Sequence, residues 1–229
     1  MSLPRLLIAV ALSLVSAPVV FAQASPSVFD GKSTTGWKTK NTEKKCAWVV
    51  GVAALDEANP GKMVVKDGAG ELINTAGSVD LFTEAKFGDC TVELEFMVPK
   101  GSNSGIYLMG EYEVQILDSF GKPDDKLTQG DLGALYSAAA PKKNVAKKPG
   151  EWQKFVIEFQ APLFDGDVKT YKAKFVKVTL NGTVLHENVE MEKQTPGGLT
   201  GKEAATGPLM FQGDHGPVAF RNIKVTPKK

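Results

Sequence analysis

Asn103-Ser-Gly-Ile-Tyr-Leu-Met-Gly-Glu-Tyr-Glu-Val-Gln-Ile-Leu-Asp118 is the stretch on which the reading of this chain turns. It divides into two adjacent β-strands, and the second sorts its side chains by alternation. Glu113 and Gln115 are two positions apart and share one face, while Val114 and Ile116 share the other. An apolar strand that presents a carboxylate beside an amide has the makings of the floor of a polar cleft. The plain alternative is an antiparallel strand with one wet face.

Strand-like runs recur on both sides of it, at 47–52, 63–65, 71–73, 90–98, 105–108, 113–117, 134–136, 155–159, 174–180, 183–189, 209–212 and 219–225, punctuated by Gly, Pro, Asn and Asp. No helical period of useful length appears. Many short strands with turn signals between them predict an all-β fold, a sandwich or jelly roll of antiparallel sheets in a single domain. Val92, Leu94 and Phe96 alternate with Glu93 and Glu95, and Val176, Val178 and Leu180 alternate with Lys177 and Thr179. Asn181-Gly182 predicts a two-residue hairpin, because both residues tolerate the positive φ of a type I′ turn. Polar stretches at 122–129, 141–150 and 194–206 predict loops of the kind that carry specificity on a β scaffold.

The N-terminus has a different character. Arg5 precedes an uncharged apolar run over 6–20, and Ala22-Gln23-Ala24 is a small-x-small cleavage pattern. Residues 1–24 are therefore expected to be a secretory signal peptide and 25–229 the folded domain, exported to the periplasm or beyond the cell. The apolar run is short for a membrane span, and no membrane insertion is expected. The chain carries 27 basic and 26 acidic residues, and without Arg5 the two balance. That balance argues against a nucleic-acid partner. Two cysteines in an exported chain, Cys46 and Cys90, lead to the expectation of a disulfide.

Three groups of residues could carry chemistry. Glu93 and Glu95 form an acidic stripe on one strand. If that strand neighbours the one bearing Glu113 and Gln115, like charges would crowd together and raise the pKa of at least one carboxyl toward the range of a general base. Arg221 is the sole arginine after the leader, and its planar fork suits a carboxylate or a pair of sugar hydroxyls; a structural ion pair weighs equally. His215 stands at the tip of Gln212-Gly-Asp-His-Gly-Pro217, where an imidazole can act as acid, base or electrophile. His186, after the hairpin, reads as an exposed strand residue. No dinucleotide fingerprint, phosphate loop or nucleophile elbow is present. Neither a nicotinamide nor a flavin is expected, and a divalent cation held by acidic side chains is left open.

Several motifs in order resemble a known family: Phe29-Asp-Gly-Lys with Gly36-Trp37, Asn103-Ser-Gly-Ile106, Tyr112-Glu-Val-Gln-Ile-Leu-Asp118, Gly133-Ala-Leu-Tyr136, Pro149-Gly-Glu-Trp152, Asp214-His-Gly216 and Phe220-Arg-Asn-Ile223. Together they resemble the 3-keto-disaccharide hydrolases, also described as 3-keto-glucoside 1,2-lyases and 2-hydroxy-glucal hydratases. The resemblance implies a concanavalin A-like jelly roll acting on an oxidised glycoside or disaccharide. A ketone at C3 of the sugar acidifies the C2 proton. One base removes it, the C1 substituent leaves, and water adds, a route that does not need the carboxylate pair of ordinary glycoside hydrolysis. On that implication Glu113, Glu95 and His215 are the catalytic candidates. Glu93, Asn103, Gln115, Asp118, Tyr136 and Arg221 are the candidates for substrate contact. Relatives commonly carry Arg where this chain has Met109. Two rivals remain on the same scaffold. A retaining glucanase is disfavoured because Gln115 stands where its central acid would be. A non-catalytic carbohydrate-binding module would instead stack sugars on Trp37, Trp152, Tyr107 or Tyr136.

Overall fold

The computed structural model describes residues 28–228; the expected leader, residues 1–24, lies outside them. Fourteen strands run in the order β1 (Trp37–Thr39), β2 (Trp48–Leu55), β3 (Met63–Asn74), β4 (Leu81–Phe87), β5 (Cys90–Met97), β6 (Asn103–Leu108), β7 (Tyr112–Leu117), β8 (Gln153–Gln160), β9 (Leu163–Asp165), β10 (Val168–Tyr171), β11 (Ala173–Leu180), β12 (Thr183–Met191), β13 (Gly207–Phe211) and β14 (Val218–Pro227). A five-stranded sheet, β1-β4-β13-β6-β7, packs on a seven-stranded sheet, β12-β11-β8-β5-β14-β3-β2, and β9 and β10 form a small ribbon. All pairings between strands are antiparallel. This is the jelly-roll sandwich expected from the strand pattern.

Alternation decides which side chains enter the space between the sheets. From β5, Val92, Leu94 and Phe96 are buried, and from β7, Tyr112, Val114 and Ile116. An aromatic ladder ties the layers together. Trp37 stacks on Phe211 (5.3 Å between centroids), Phe211 on Phe220 (4.0 Å) and Phe220 on Trp48 (6.2 Å), so the Phe211–Phe220 contact joins β13 of one sheet to β14 of the other. Apolar area buried in this way supplies most of the drive to fold, about 25 cal/mol per Å2. Trp37 belongs to this core and is not a cleft residue.

The Asn181-Gly182 hairpin forms as expected, with φ of 51° and 83°. The β6–β7 hairpin turns through Met109-Gly110, with φ of 56° and 71°, and is closed by the Glu111 N–H on the Leu108 carbonyl at 3.0 Å. Other expectations are corrected. In β11 the pairing with β8 slips between Phe175 and Lys177, so Phe175 and Val178 point inward and Val176 falls out of phase. The 63–65 and 71–73 runs are the two ends of one strand, β3, whose polar middle has no core to face. Residues 134–136 form no strand of their own. They bond to the outer edge of β7, with the Gln115 N–H on Ala134 O (2.9 Å) and the Tyr136 N–H on Glu113 O (3.2 Å), and so cover a sheet edge. β1, β4, β9 and β10 were not anticipated.

The disulfide is also corrected: both cysteines are free, Cys46 exposed and Cys90 buried. β2 and β5 are separated by β14 and β3. In addition, Cys46 precedes Trp48 near the Asn74–Val218 end of the sheet, whereas Cys90 starts β5 opposite Pro227 at the other end. The reach of a disulfide, with Cα atoms about 4.4–6.8 Å apart, is exceeded several-fold by this path. Burial pushes the Cys90 thiol up to about 12, so it is an inert core residue.

Candidate active site

The outer face of the five-stranded sheet carries a cavity of ≈190 Å3 with Glu113 at its floor, lined also by Asn103, Tyr107, Gln115, Tyr136, Pro196, Gln212 and His215. β6 and β7 build the floor. Asn103, Gly105 and Tyr107 point outward from β6 because Ile106 and Leu108 point into the core, and Glu113 and Gln115 point outward from β7 for the same reason. Gly105 explains the Asn-Ser-Gly motif: a Cβ there would lie 2.2 Å from Glu113 Oε1. The carboxylate rests on the bare backbone of the neighbouring strand, and any other residue would displace it.

Two loops turn this patch of sheet into an enclosure. The 194–201 strap crosses above it. Glu111, 3% exposed, holds the strap, accepting from the Thr200 N–H and hydroxyl (both 2.7 Å) and from the Gly201 N–H (3.1 Å). Thr195 Oγ1 accepts the Glu113 backbone N–H at 3.0 Å. The second wall is the β13–β14 loop with Asp214 and His215. It is anchored by the buried Asn74, whose Nδ2 donates to the carbonyls of Gly213 (2.8 Å) and Gly216 (2.9 Å).

Glu113 is 2% exposed. Its Oε2 accepts from the Tyr107 hydroxyl at 2.8 Å, and that hydroxyl also lies 3.2 Å from Pro196 O. Burial pushes the Glu113 carboxyl up to about 7; the Tyr107 bond opposes the shift, and the charges of Asp80 and Asp214 add to it. Tyr107 is itself held protonated by burial and by Glu113. Gln115 Oε1 accepts from the Ile116 N–H at 3.1 Å, which leaves its NH2 group as the donor for the cavity. Asn103 Oδ1 is buried and has no hydrogen-bond partner, an acceptor suited to a hydroxyl. His215 Nδ1 contacts Asp214 Oδ1, so its Nε2 edge is available for proton transfer.

The structure thus gathers Glu113, Gln115, Asn103, Tyr136 and His215 in one cavity. It does not bring Glu93, Glu95 or Arg221 there. β5 and β14 belong to the seven-stranded sheet, and Glu93, Glu95 and Arg221 face outward on the far side of the sandwich. There Arg221 Nε donates to Glu95 at 2.6 Å, its Nη1 lies 3.7 Å from Glu71, and its guanidinium stacks 4.0 Å over Trp152. Glu93 pairs with Lys154 at 3.0 Å. Burial alone would raise the Glu95 carboxyl, but hydrogen bonds from Arg221 and Asn222 and the charges of Arg221 and Lys154 outweigh it and hold it below the usual range. Asp118 is not a lining residue either; its Oδ2 accepts the Gly101 N–H at 2.9 Å and fixes a turn. His186 is buried, its ring contacting Gly133 O at 2.8 Å, and is not the exposed strand residue expected.

Sequence reasoning missed Asp80, Asp214, Thr195 and Glu111, all of which act across loops that no local pattern connects. Among the described residues no three His, Cys, Asp or Glu side chains gather into a group able to hold a metal ion. The acidic cation site left open by the sequence does not form, because its carboxylates lie on opposite faces.

A family model described as the 3-keto-alpha-glucoside-1,2-lyase-like domain matches residues 25–226, and the chain belongs to that family. A 3-keto-disaccharide hydrolase of Bacteroides thetaiotaomicron is 26% identical over 155 residues, 57% of this chain and 51% of that protein; the match thus spans about half the length of the curated relative. A solved structure of a protein proposed to be a glycosyl hydrolase, from Parabacteroides distasonis, superposes with a TM-score of 0.66 at 28% identity, over 89% of this chain and 84% of that one. A second, from the same organism, superposes with a TM-score of 0.61 at 18% identity, over 88% and 93%, and shares the fold.

Proposed function

We propose that this protein cleaves the glycosidic bond of 3-keto-glucosides or 3-keto-disaccharides by elimination and hydration, with Glu113 as the base. The observation that carries the reading is a single carboxylate among the described residues that line the cavity, buried and pushed up to about 7. A base of that pKa holds both protonation states near neutral pH, as a group must when it takes a proton and later returns it. Ordinary glycoside hydrolysis would call for two carboxyl groups flanking the bond.

In the first step ionised Glu113 takes the proton from C2 of the ketosugar and an enolate forms. Donors on the cavity wall, the Gln115 NH2 and the His215 imidazole, stabilise the charge on its oxygen. The enolate then collapses: the C3 carbonyl re-forms, a C1–C2 double bond appears, and the C1–O bond to the aglycone breaks. Protonated His215 gives its proton to the departing oxygen. Water adds at C1, passing a proton to His215, while Glu113, whose carboxyl proton has exchanged with solvent as the aglycone departs, gives a proton to C2. The net change is hydrolysis, and both side chains end as they began. Asn103 Oδ1 accepts from a ring hydroxyl, and Tyr136 forms a side wall. The ketone is made beforehand by a separate oxidoreductase acting on the unoxidised sugar. Export through the 1–24 leader remains part of the proposal, tested by sequencing the N-terminus of the secreted product.

The test is incubation of the protein in D2O with 3-keto-trehalose, 3-keto-lactose and a simple 3-keto-glucoside, with unoxidised sugars as controls and with products read by mass spectrometry. The expected result is cleavage of a ketosugar alone, with one deuterium at C2 of the released ketose beyond the enzyme-free exchange. Cleavage with neither the label nor a slower rate for a ketosugar deuterated at C2 would replace elimination by direct hydrolysis. Glycan binding with no turnover of any ketosugar would favour the binding module.

A further inference from the structure

We propose that Lys40, just beyond β1, is a positioning residue that clasps the two walls of the Glu113 cavity together and neutralises the buried carboxylate of Asp80 behind them. The inference builds on Glu113 as the working group of the cavity, and its first test uses no substrate.

The geometry is a three-way tie. Asp80, 5% exposed, has no aqueous shell to satisfy it. Its Oδ1 accepts the Gly213 N–H at 3.0 Å, and its Oδ2 lies 3.2 Å from Lys40 Nζ. The same ammonium donates to Gly197 O at 2.7 Å. The Lys40 backbone N–H donates to Asp80 O at 2.9 Å, so the lysine is held from both ends. Gly213 opens the loop that carries Asp214 and His215, and Gly197 adjoins Pro196 on the strap. One cation therefore connects the His215 wall, through Asp80, to the strap above Glu113. The fit around Gly213 is close: a Cβ there would lie 2.0 Å from Val79 O. The loop thus starts packed against the Val79 carbonyl, and the tie joins it to the strap.

The charge matters as much as the brace. The ionisable groups around Glu113 are Tyr107 from β6, Asp80 ahead of β4, Asp214 and His215 from the β13–β14 loop, and Tyr136 from the segment covering β7. Asp80 and Asp214 oppose ionisation of Glu113. Lys40 sits on Asp80 and offsets its field. Removing the cation leaves Asp80 uncompensated, which makes Glu113 harder to ionise. Removing Asp80 itself does the reverse. A lysine acting as a brace alone predicts something else, since a loosened wall admits water and lowers the Glu113 midpoint in both variants.

The experiment is a pH titration of the Glu113 carboxyl by 13C NMR in the substrate-free protein, with its resonance assigned by its loss in Glu113→Gln. Lys40→Met is expected to raise the midpoint by about half a unit or more and Asp80→Asn to lower it by a similar amount, with Lys40→Arg close to the native value. Lys40→Gln, which keeps a donor for Gly197 O without the charge, is expected to move upward too and serves if Lys40→Met does not fold. An unchanged or lowered midpoint in the folded Lys40 variants overturns the proposal. With a ketosugar, the acid limb of kcat/KM is expected to follow the NMR midpoint. A midpoint that moves while the limb stays put supports the tie and counts against Glu113 as the base.

Discussion

On the outer face of the seven-stranded sheet, Glu95 has a guanidinium 2.6 Å away, backed by Trp152, and its carboxyl is held below the usual range. On the outer face of the five-stranded sheet, Glu113 has no cation in contact among the described residues, a tyrosine hydroxyl 2.8 Å away and two like charges nearby, and its carboxyl is pushed up to about 7. The two residues follow the same local rule. Each alternates with core side chains along its strand, β5 for Glu95 and β7 for Glu113, and each faces away from the sandwich. What differs is what the rest of the chain lays over them. A cross-strand arginine neutralises one, and a strap and a loop bury the other. A strand pattern thus delivers a carboxylate to a surface, and the covering loops make it a fixed anion or a proton carrier.

The sharpest way to break this contrast is to neutralise each side chain in turn. Glu113→Gln is expected to lower kcat/KM on a 3-keto-glucoside by about 10³-fold, while Glu95→Gln changes it by less than about threefold. Comparable losses in both variants would end the distinction between the faces.

The next effect is on stability, and its sign follows from linkage. A carboxyl that titrates near 4.5 in the unfolded chain and at about 7 in the fold binds its proton more tightly when folded. Stability from this group is fully present below about pH 4.5 and is lost as pH rises through 7, a change of about 3 kcal/mol. Denaturant unfolding of the native protein at pH 5 and pH 8, beside Glu113→Gln, checks it. The variant is expected to lose this dependence and to gain stability at pH 8. The rate runs the opposite way, since the base must be ionised: kcat/KM is expected to rise with pH through a limb near 7.

Gly105→Ala probes the floor of the cavity without touching a polar group. With a Cβ at 2.2 Å from Glu113 Oε1, activity is expected to fall about 10–100-fold while the circular dichroism of the sheets is retained. Native activity in this variant would show that the carboxylate need not rest on the β6 backbone.

The smallest effect lies on the other face. Arg221→Met is expected to lower unfolding stability by about 1–2 kcal/mol, modest because the side chain is part exposed, and to leave turnover unchanged. A loss of activity without a loss of stability would return Arg221 to the list of substrate contacts.

Much of the candidate site was legible in the sequence. Glu113 and Gln115 sit on a strand whose alternation is plain and Asn103 heads the strand before it, whereas the need for a bare backbone at Gly105 emerged only from its place beside Glu113. The acidic stripe of Glu93 and Glu95 was equally plain as a pattern but was expected beside Glu113, because periodicity assigns a face within a strand and says nothing about which sheet the strand joins. Tyr107 was visible only as an aromatic that core packing could explain. Asp80 and Lys40 were silent, since their meaning arises from contacts with Gly213 and Gly197, more than 130 residues away along the chain.

What the sequence determined by itself is the all-β sandwich, the hairpin at Asn181-Gly182 and the shared outward face of Glu93 with Glu95 and of Glu113 with Gln115. These depend on local sterics and on the separation of apolar from polar side chains, which short segments already encode. Tertiary structure alone decided that the cysteines stay apart, that Arg221 serves Glu95, and that Glu113 is buried with a tyrosine hydroxyl rather than a cation against it. Each of these depends on strand order and on loops closing over a sheet, and the energy of a buried charge is set by everything packed around it rather than by its neighbours in the chain.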